Sequence, residues 1–270
     1  MILLAPGQYD MLMPLVTPLD YHLALRSIVQ GKTSARVYVD RVQRPQAAFL
    51  WRKGKAWLLG SPNDSFVEGL LDALESGYFQ ILREHGTGYF RLHYDERWGP
   101  VLDSVLPGLK REEYPRSYYH MDAGGKRWDV NLPPAFRIVE IDEALLASEH
   151  GNIDQVRDET VSERDSVEDF LESSFGFVAM EGDEIVSWCM SEYNTGDRCE
   201  LGIASIEGYQ RKGLATQVAR AVIGHAVRRG VYSIGWHCWK YNEPSVRTAL
   251  KIGFKHGLDY PICEVKIDAT

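Results

Sequence analysis

Apolar residues alternate with polar ones, or run together, over short stretches in the first part of the chain. Residues 35–40 and 47–61 are rich in β-branched and aromatic side chains, and the second stretch is interrupted at Gly54 as a hairpin would be. Residues 64–76 show helical spacing and open with an aspartate that we expect to cap the helix, and residues 88–95 have the pattern of a strand. This part is therefore predicted to mix strands with helices.

Strand-like and helical patterns alternate again in the second part. The predicted elements are a strand over residues 136–142, polar helical segments over 143–174, a hairpin over 175–193 with its turn at 181–183, a strand over 198–205, a turn and helix over 209–230, a strand over 231–239, and a short helix from 243 with Pro244 in its first turn. This order of elements predicts an α/β or α+β fold.

Residues 108–134 lie between the two sets of elements. They are aromatic, charged and glycine-bearing, and we interpret them as a connector that contains the domain boundary, with domains over residues 1–134 and 135–270. The two hairpins overlay when Gly54 is placed on Gly182. The overlay fits a duplication of the chain, although any β-hairpin with an exposed glycine turn would match in the same way.

Charge and composition exclude several classes of protein. The formal net charge of −8 argues against a general nucleic-acid binder, because phosphate contacts need a concentrated basic surface. The four cysteines lie far apart, without a CxxC pair or a nearby histidine at metal-ligand spacing, so no metal site is predicted and the thiols are expected to be reduced and mostly buried. The first residues have neither a basic leader nor the length of a membrane span. We therefore expect a cytoplasmic protein that contacts neither nucleic acid nor membrane.

One turn carries two cations where a helix is predicted to begin. Arg211 and Lys212 precede Gly213, although helix N-termini ordinarily favour acidic residues and capping hydroxyls. Gly213 allows backbone angles that other residues avoid, so the N–H groups of residues 211–216 can converge at the positive end of the helix dipole. The turn is therefore predicted to bind an anion. The alternative is a surface turn with solvated cations and a tight-turn glycine.

The residues of this turn match a known signature. The run QRKGLA at residues 210–215 resembles the Q/R-x-x-G-x-G/A signature of the GNAT superfamily of N-acetyltransferases, and it follows a predicted strand and opens a predicted helix as that signature requires. Residues 239–254 resemble the N-x-x-S/A…G-F segment of the same superfamily. No P-loop or dinucleotide fingerprint is present. The resemblance covers roughly the C-terminal half of the chain.

The resemblance implies the GNAT fold, a mixed and mostly antiparallel sheet with splayed central strands flanked by helices, and it implies acetyl-CoA as cosubstrate. The pyrophosphate is then expected on the main-chain N–H groups of Arg211, Lys212, Gly213, Leu214, Ala215 and Thr216. The pantetheine arm is expected along main-chain groups of Ile203, Ala204 and Ser205. Asn242 and Ser245 match positions that contact this arm from the other side; alternatively, Asn242 holds its own helix and Ser245 faces solvent.

Acetyl transfer to an amine needs a base, because an ammonium group has no lone pair. Glu200, on the strand before the loop, lies close to the place of the base glutamate in many GNAT proteins; alternatively, it is a charge at the sheet edge paired with Arg198. Glu207 and Glu192 are weaker substitutes. Many relatives carry a tyrosine that protonates the leaving thiolate, but its place here holds Ala249.

The thiolate therefore needs another proton source. Tyr232, Tyr241 and His237 are candidates, although a histidine on a strand is more often a core residue. Water is a further candidate, because a thiolate is a tolerable leaving group near neutral pH. No cysteine is obviously placed as a nucleophile, so direct transfer in a ternary complex is expected.

The first half of the chain lacks the cofactor signature. After its hairpin it carries Pro62 and Asp64 where amide donors are needed, and Asp64 would repel phosphate. We therefore expect a degenerate GNAT-like domain over residues 1–134, which shapes the acceptor pocket, and an acetyl-CoA-binding catalytic domain over residues 135–270. Some two-part GNAT proteins resemble this arrangement, so two tandem GNAT-like halves are expected.

The resemblance suggests two functions from different classes, and a third function would apply if the resemblance were misleading. The first is an N-acetyltransferase acting on a small-molecule or peptide amine, and the second is a non-catalytic module that holds acyl-CoA, which the missing tyrosine would suit. An unrelated α/β nucleotide binder is a third. Several amine acceptors, and both a monomer and a homodimer, are compatible with the sequence.

Overall fold

The structure is a computed structural model, and it describes residues 1–267. The chain forms two compact units. One is built from Met1–Arg116 together with the chain from Asp259 onward, and the other from Ser117–Leu258. The boundary predicted at residues 134 and 135 lies inside the second of these units.

The helices and strands are numbered in chain order. The first part contains β1 (Ile2–Leu3), α1 (Met13–Val16), α2 (Leu23–Val29), β2 (Arg36–Val39), β3 (Ala47–Arg52), β4 (Lys55–Gly60), α3 (Asp64–Ala73), α4 (Phe79–Glu84), β5 (Tyr89–Tyr94), α5 (Leu102–Val105) and β6 (Arg111–Asp122). The second part contains β7 (Phe136–Glu140), α6 (Glu143–Leu146), α7 (Ile153–Thr160), α8 (Val167–Ser173), β8 (Gly176–Glu181), β9 (Glu184–Thr195), β10 (Arg198–Ser205), α9 (Leu214–Arg228), β11 (Ser233–Trp239), α10 (Glu243–Ile252) and β12 (Lys255–Lys266). A π-helical turn at Leu74–Tyr78 joins α3 to α4, and a 3-10 turn at Glu207–Tyr209 follows β10.

In the first unit the strands follow the order β1-β2-β3-β4-β5-β12. β3 and β4 form the predicted hairpin around Gly54, and β4 pairs in parallel with β5, so α3 and α4 form the crossover between them. Residues 263–266 of β12 pair antiparallel with residues 89–92 of β5. One buried apolar cluster joins these strands to α3, α4 and α5.

The start of α3 differs from the prediction. Asn63, not Asp64, is the capping residue, because its Oδ1 accepts a hydrogen bond from the main-chain N–H of Phe66 at 3.1 Å. Asp64 is the first residue of the helix, where a negative charge favours the positive end of the helix dipole. The capping prediction is wrong by one position because Asn and Asp are equally good caps, and the sequence alone does not choose between them.

A paired carboxylate fixes the turn after β5. Nε and Nη2 of Arg97 donate hydrogen bonds to Oδ1 and Oδ2 of Asp95 at 2.7 and 2.5 Å, and the Asp95 side chain is only 9% exposed. The hydrogen bonds from Arg97 lower the pKa of Asp95 below its ordinary value. The pair therefore stabilises the folded state while Asp95 is ionised.

Replacing Arg97 with glutamine is expected to lower the free energy of unfolding by about 1 kcal/mol at neutral pH. A carboxyl whose folded-state pKa is lowered contributes stability above its unfolded-state pKa of about 4 and loses that contribution as the pH falls through the folded value. Urea unfolding of both proteins, from neutral pH down to about pH 3, measures the effect. The difference between wild type and variant should shrink towards acid pH, and a constant difference would contradict the prediction.

In the second unit the strands follow the order β7-β8-β9-β10-β11-β6. β7, β8, β9 and β10 pair antiparallel in succession, whereas β10 and β11 pair in parallel with α9 as the crossover. Two separate buried clusters flank the strands, one with α9 and α10 and the other with α6, α7 and α8. The sheet is therefore covered by helices on both faces.

The two units share one topological feature. Each contains a strand, a helical crossover and a parallel strand, which are β4, α3 with α4, and β5 in the first unit, and β10, α9 and β11 in the second. In the first unit the hairpin that precedes the crossover is β3–β4. The pair in the same place in the second unit is β9–β10, whereas the β8–β9 hairpin comes one strand earlier. The overlay of Gly54 on Gly182 is therefore wrong, because a glycine turn does not specify a strand's place in the sheet.

The interpretation of residues 108–134 as a connector is also wrong. The segment contains the twelve-residue strand β6, in which Ser117, Tyr119 and Met121 are buried while His120 and Asp122 are exposed. This alternation is typical of a strand with one buried face, but charged residues and Pro115 obscure it in the sequence. The predicted strands and helices on either side of this segment are present.

The predicted state of the cysteines is confirmed. The four cysteines, Cys189, Cys199, Cys238 and Cys263, are buried and form no disulfide within the described residues. Within residues 1–267, no three or more His, Cys, Asp or Glu side chains are grouped so as to hold a metal ion. Over the same residues, each helix is too short or too polar to cross a membrane.

Candidate active site

β10 and β11 separate partway along their length. Their parallel pairing joins residues 198–201 to residues 233–236, and it ends with Leu201 opposite Trp236. β10 continues to Ser205 in register with β9, while β11 continues to Trp239. The separation implied by the resemblance is present, and it begins directly after Leu201.

The separated part of β10 directs its peptide groups to alternate sides. Ile206 donates its N–H to the carbonyl of Val186 at 3.0 Å, on the β9 side. Because peptide groups alternate along a strand, those of Ala204 also face β9, and those of Ile203 and Ser205 face the opposite side. Ile203 and Ser205 therefore present main-chain groups where β11 has separated, whereas Ala204 does not.

The turn after β10 leaves a row of N–H groups without internal partners. Arg211 and Gly213 have positive φ angles of 61° and 81°, and α9 begins at Leu214 without a side-chain cap. The first helical hydrogen bond runs from the N–H of Gln217 to the carbonyl of Gly213 at 3.3 Å. Within the described residues, the N–H groups of residues 211–216 donate no hydrogen bond. With the dipole of α9 they form the geometry of an anion site.

The cations of this turn lie at its surface. Arg211 and Lys212 are exposed, and Lys212 Nζ lies 4.3 Å from the centroid of the Tyr209 ring. The Tyr209 hydroxyl donates a hydrogen bond to Glu181 at 2.8 Å. Lys212 is thus held near the turn by an aromatic ring, not by a carboxylate that would neutralise it.

The corresponding turn of the first unit is different. The side chain of Asn63 accepts the N–H of Phe66 there, and the Asn63 carbonyl accepts the N–H groups of Phe66 and Val67. Pro62 has no N–H to offer, and Asp64 adds a negative charge. The start of α3 is therefore occupied by the protein's own acceptor and disfavours an anion.

Asn242 and Ser245 both have partners within the protein. Oδ1 of Asn242 accepts the N–H of Ser245 at 3.2 Å and caps α10. Oγ of Ser245 accepts the indole N–H of Trp236 at 3.0 Å, at the last paired position of β11. These contacts match the capping alternative for Asn242, and they show that Ser245 is not simply solvent-facing.

Glu200 lies on an interior strand beside the point of separation. Its side chain is only 9% exposed, and its Oε1 lies 3.2 Å from Nε2 of His237. It faces Gly235 across the parallel pair, where a Cβ would approach Glu200 Cγ at 3.0 Å and Tyr118 Cε2 at 3.3 Å. Because β10 lies between β9 and β11, the alternative of a charge at the sheet edge is wrong.

More carboxylates lie on the same face as Glu200. Glu192 is its direct neighbour on β9, and the Glu192 carboxylate fills the space that a side chain at Gly202 would need. Glu159 Oε1 lies 3.6 Å from the same position. A small cavity is lined by Glu159, Thr160, Ser162, Glu163, Arg164, Phe170, Met190, Ser191 and Glu192. The face of the sheet beside Glu200 is therefore acidic.

The nearby thiols are not activated. Burial raises the pKa of the Cys189 thiol and of the Cys199 thiol above their ordinary values, and neighbouring carboxylates add to the effect. A thiol of this kind stays protonated at neutral pH and is a poor nucleophile. The protonation of these two thiols therefore gives no support to a cysteine-bound intermediate.

The candidates for the proton donor to sulfur differ in their position relative to Glu200. Tyr232 precedes β11, so about 16 Å of extended strand separates it from His237. Tyr241 is 63% exposed and stacks on Trp239 with ring centroids 6.1 Å apart. Ala249 lies on α10 and is buried in the apolar core, as expected for a residue without a chemical role. Only His237 contacts Glu200 among these candidates.

Sequence reasoning missed Tyr118, which it placed in a connector. The ring of Tyr118 lies 4.8 Å from that of His237 and 6.1 Å from that of His120. The available signal was the alternation along β6, which places Tyr118 on the face opposite to Ser117 and Tyr119. Its position beside Glu200 depends on strand pairing that a single sequence does not reveal.

Comparison with known proteins identifies the class to which this protein belongs. The GNAT acetyltransferase family model matches residues 15–263, so the chain belongs to the GNAT acetyltransferase family. It is therefore an acyltransferase of the N-acetyltransferase type, a class that acts on amine acceptors.

Individual relatives cover nearly the whole chain. The uncharacterized N-acetyltransferase YdfB of Bacillus subtilis (strain 168) is 24% identical over 238 residues, which are 87% of each protein. A GCN5-related N-acetyltransferase-like protein of Streptococcus suis 89/1591 has a TM-score of 0.66 and 21% identity, over 96% of this chain and 99% of that one. A tandem GNAT protein from the clavulanic acid biosynthesis pathway has a TM-score of 0.61 and 11% identity, over 100% and 98%. The predicted fold, two tandem GNAT-like halves with mixed sheets, is confirmed.

Proposed function

We propose that this chain transfers an acetyl group from acetyl-CoA directly to an amine in a ternary complex. The single observation that carries the proposal is the row of N–H groups at residues 211–216, which lie at the start of α9 beside separated strands and have no acceptor among residues 1–267. A diphosphate supplies the negative charge and the acceptor oxygens that such a row would bind. The family membership makes acetyl-CoA the donor to test.

The proposed binding mode assigns a part to each element. The N–H groups of Arg211, Lys212, Gly213, Leu214, Ala215 and Thr216 would hold the pyrophosphate, and the exposed charges of Arg211 and Lys212 would add to the attraction. The pantetheine arm would lie in the gap beyond Leu201, against main-chain groups of Ile203 and Ser205. Ala204 would contribute by packing only. Asn242 and Ser245 would border the arm while they keep α10 attached to β11.

Glu200 is the proposed base. An amine enters as an ammonium ion, and its proton must leave before the nitrogen can attack the thioester carbon. Glu200 is ionisable, largely buried and adjacent to the gap, so its carboxylate can take that proton directly or through one water. As the C–N bond forms, the C–S bond breaks, sulfur leaves with the electron pair, and the nitrogen gives up a second proton. Water is the proposed carrier of that proton to sulfur, because Ala249 replaces the usual tyrosine.

The first unit is proposed to bind no coenzyme. Its crossover helix α3 is capped by Asn63, and Asp64 would repel a phosphate group there. In this proposal residues 1–134 are a degenerate half and residues 135–270 hold the coenzyme. A cytoplasmic location, no nucleic-acid partner and a small-molecule or peptide amine acceptor complete it, and a monomer and a homodimer are equally compatible with it.

Calorimetry with coenzyme A tests the central claim. Wild-type protein is expected to bind CoA, and thermal unfolding is expected to shift upward with CoA but not with ATP or NAD. Protection by ATP or NAD instead would favour an unrelated nucleotide binder. No heat with CoA would refute the proposal.

Turnover separates the enzyme from a binding module. Release of free thiol from acetyl-CoA should require an amine, and a library of peptides, polyamines, aminoglycosides and amino acids is the probe. CoA binding without thiol release for any amine would favour a non-catalytic acyl-CoA-binding module. Thiol release at equal rates with and without amine would contradict transfer to nitrogen.

A further inference from the structure

His237 is the first residue of β11 beyond its pairing with β10. The pairing ends at Leu201 opposite Trp236, so His237 lies where the two strands separate. Its Nε2 nevertheless reaches back to Glu200 Oε1 at 3.2 Å, and the two side chains are only 11% and 9% exposed. This side-chain contact therefore spans the start of the gap.

The surroundings restrict both partners. The Tyr118 ring packs beside the imidazole with ring centroids 4.8 Å apart and an interplanar angle of 30°. Residue 235 is a glycine, and Glu200 and Tyr118 pack against it. A Cβ at this position would lie 3.0 Å from Glu200 Cγ. A side chain at residue 235 would require Glu200 or Tyr118 to shift. The packing thus favours one arrangement of the carboxylate.

We propose that His237 is a positioning residue that holds the Glu200 carboxylate at the gap through an Nε2–H hydrogen bond. The inference rests on the proposed role of Glu200 as the base. A carboxylate only accepts hydrogen bonds, so the proton of this contact belongs to Nε2.

The role differs from that of a core histidine. The strands are already joined by main-chain pairing over residues 198–201 and 233–236, so the fold does not depend on this one contact. Burying a carboxylate and an imidazole also costs free energy unless they are paired. The arrangement is explained if the carboxylate must point in one direction, because displacement of a reacting group by about 1 Å can lower a rate by roughly 100-fold.

Three substitutions separate positioning from folding. His237→Ala removes the donor, and His237→Gln retains an N–H at nearly the same place. His256→Ala is the matched control, because His256 is an exposed histidine on β12 of the same unit. The assay uses acetyl-CoA as the donor and, as the acceptor, the amine of the library described above that wild type acetylates fastest.

We expect His237→Ala to lower kcat by about 10-fold to 100-fold, with the KM for acetyl-CoA within about 2-fold of wild type. His237→Gln should recover most of the loss, and His256→Ala should stay within about 2-fold. In the Glu200→Gln background, His237→Ala should add no further loss, because the two residues act as a unit. Additive losses, or no rescue by glutamine, would overturn the proposal.

A measurement without substrate distinguishes this inference from the proposed function. In protein labelled with nitrogen-15 at histidine, the Nε2–H proton of His237 should give an exchange-protected signal, assigned by its absence in His237→Gln. The signal should disappear in Glu200→Ala and remain in His256→Ala. If it is present while CoA gives no heat, the proposed function fails and the pairing stands. If wild type lacks the signal, the inference fails whatever the protein binds.

Discussion

Replacing Gly213 with aspartate should abolish CoA binding, whereas replacing it with asparagine should weaken binding by no more than about 10-fold. Both side chains tolerate a positive φ better than other residues, and the φ of Gly213 is 81°. A side chain at this position meets open space, since no atom lies within 4 Å of a Cβ built there. The two variants are nearly the same size and differ by one negative charge.

The charge acts directly at the proposed diphosphate site. Two like charges about 4 Å apart repel by about 4 kcal/mol at an effective dielectric constant of 20, which corresponds to more than a 100-fold loss of affinity. Calorimetry with CoA at moderate salt measures the affinity, and the thermal unfolding midpoints without ligand should agree within a few degrees. Equal affinities for the two variants would show that the anion does not lie on this turn.

The second large effect is expected at Glu200. Glu200→Gln should lower kcat by about 100-fold to 10,000-fold, the usual contribution of a general base, and leave CoA affinity within about 2-fold. The amide has nearly the same shape as the carboxylate, and its oxygen can still accept a hydrogen bond from His237. The loss would therefore reflect proton transfer and not collapse of the site.

The controls follow from the other carboxylates. Glu207→Gln changes an exposed residue of the 3-10 turn and should alter the rate by less than about 2-fold. Glu192→Gln, on the same face as Glu200, tests the remaining alternative for the base. If Glu192→Gln lost activity while Glu200→Gln kept it, the base would have been assigned to the wrong strand.

Local sequence was sufficient to predict the turn that opens α9. Gly213, the strand before it and the apolar spacing of α9 lie close together in the chain, so their geometry follows from neighbouring residues. The hairpin around Gly54 was predictable for the same reason. The exact cap of α3 was not, because Asn63 and Asp64 both suit that position.

Non-local pairing explains what could not be predicted. β6 contains charged residues and Pro115, and its strand character depends on partners far away in the chain. β12 was not predicted either, although Ile262, Cys263 and Val265 are buried. Contacts of this kind depend on which strands pair and in which register, and no short turn joins β6 or β12 to its partners to indicate either.

The candidate site shows the same division. The resemblance was enough to propose roles for Glu200 and the loop residues, but the contact between Glu200 and His237 depends on the parallel register of β10 and β11. The sequence suggested His237 only as a proton source for sulfur. Its place on the same face as Glu200 follows from Gly235 lying opposite Glu200, since residues two apart on a strand point to the same side.

Because β5 pairs with β12, the first sheet cannot be completed until almost the whole chain has been synthesised. Residues 89–92 must wait for residues 263–266 before this edge of the first sheet is paired. At ordinary rates of translation the interval is roughly 10–30 s, during which the nascent first unit exposes an unpaired strand edge. The part of the protein that is made first is thus among the last to be completed, and shielding by a chaperone would matter most in that interval.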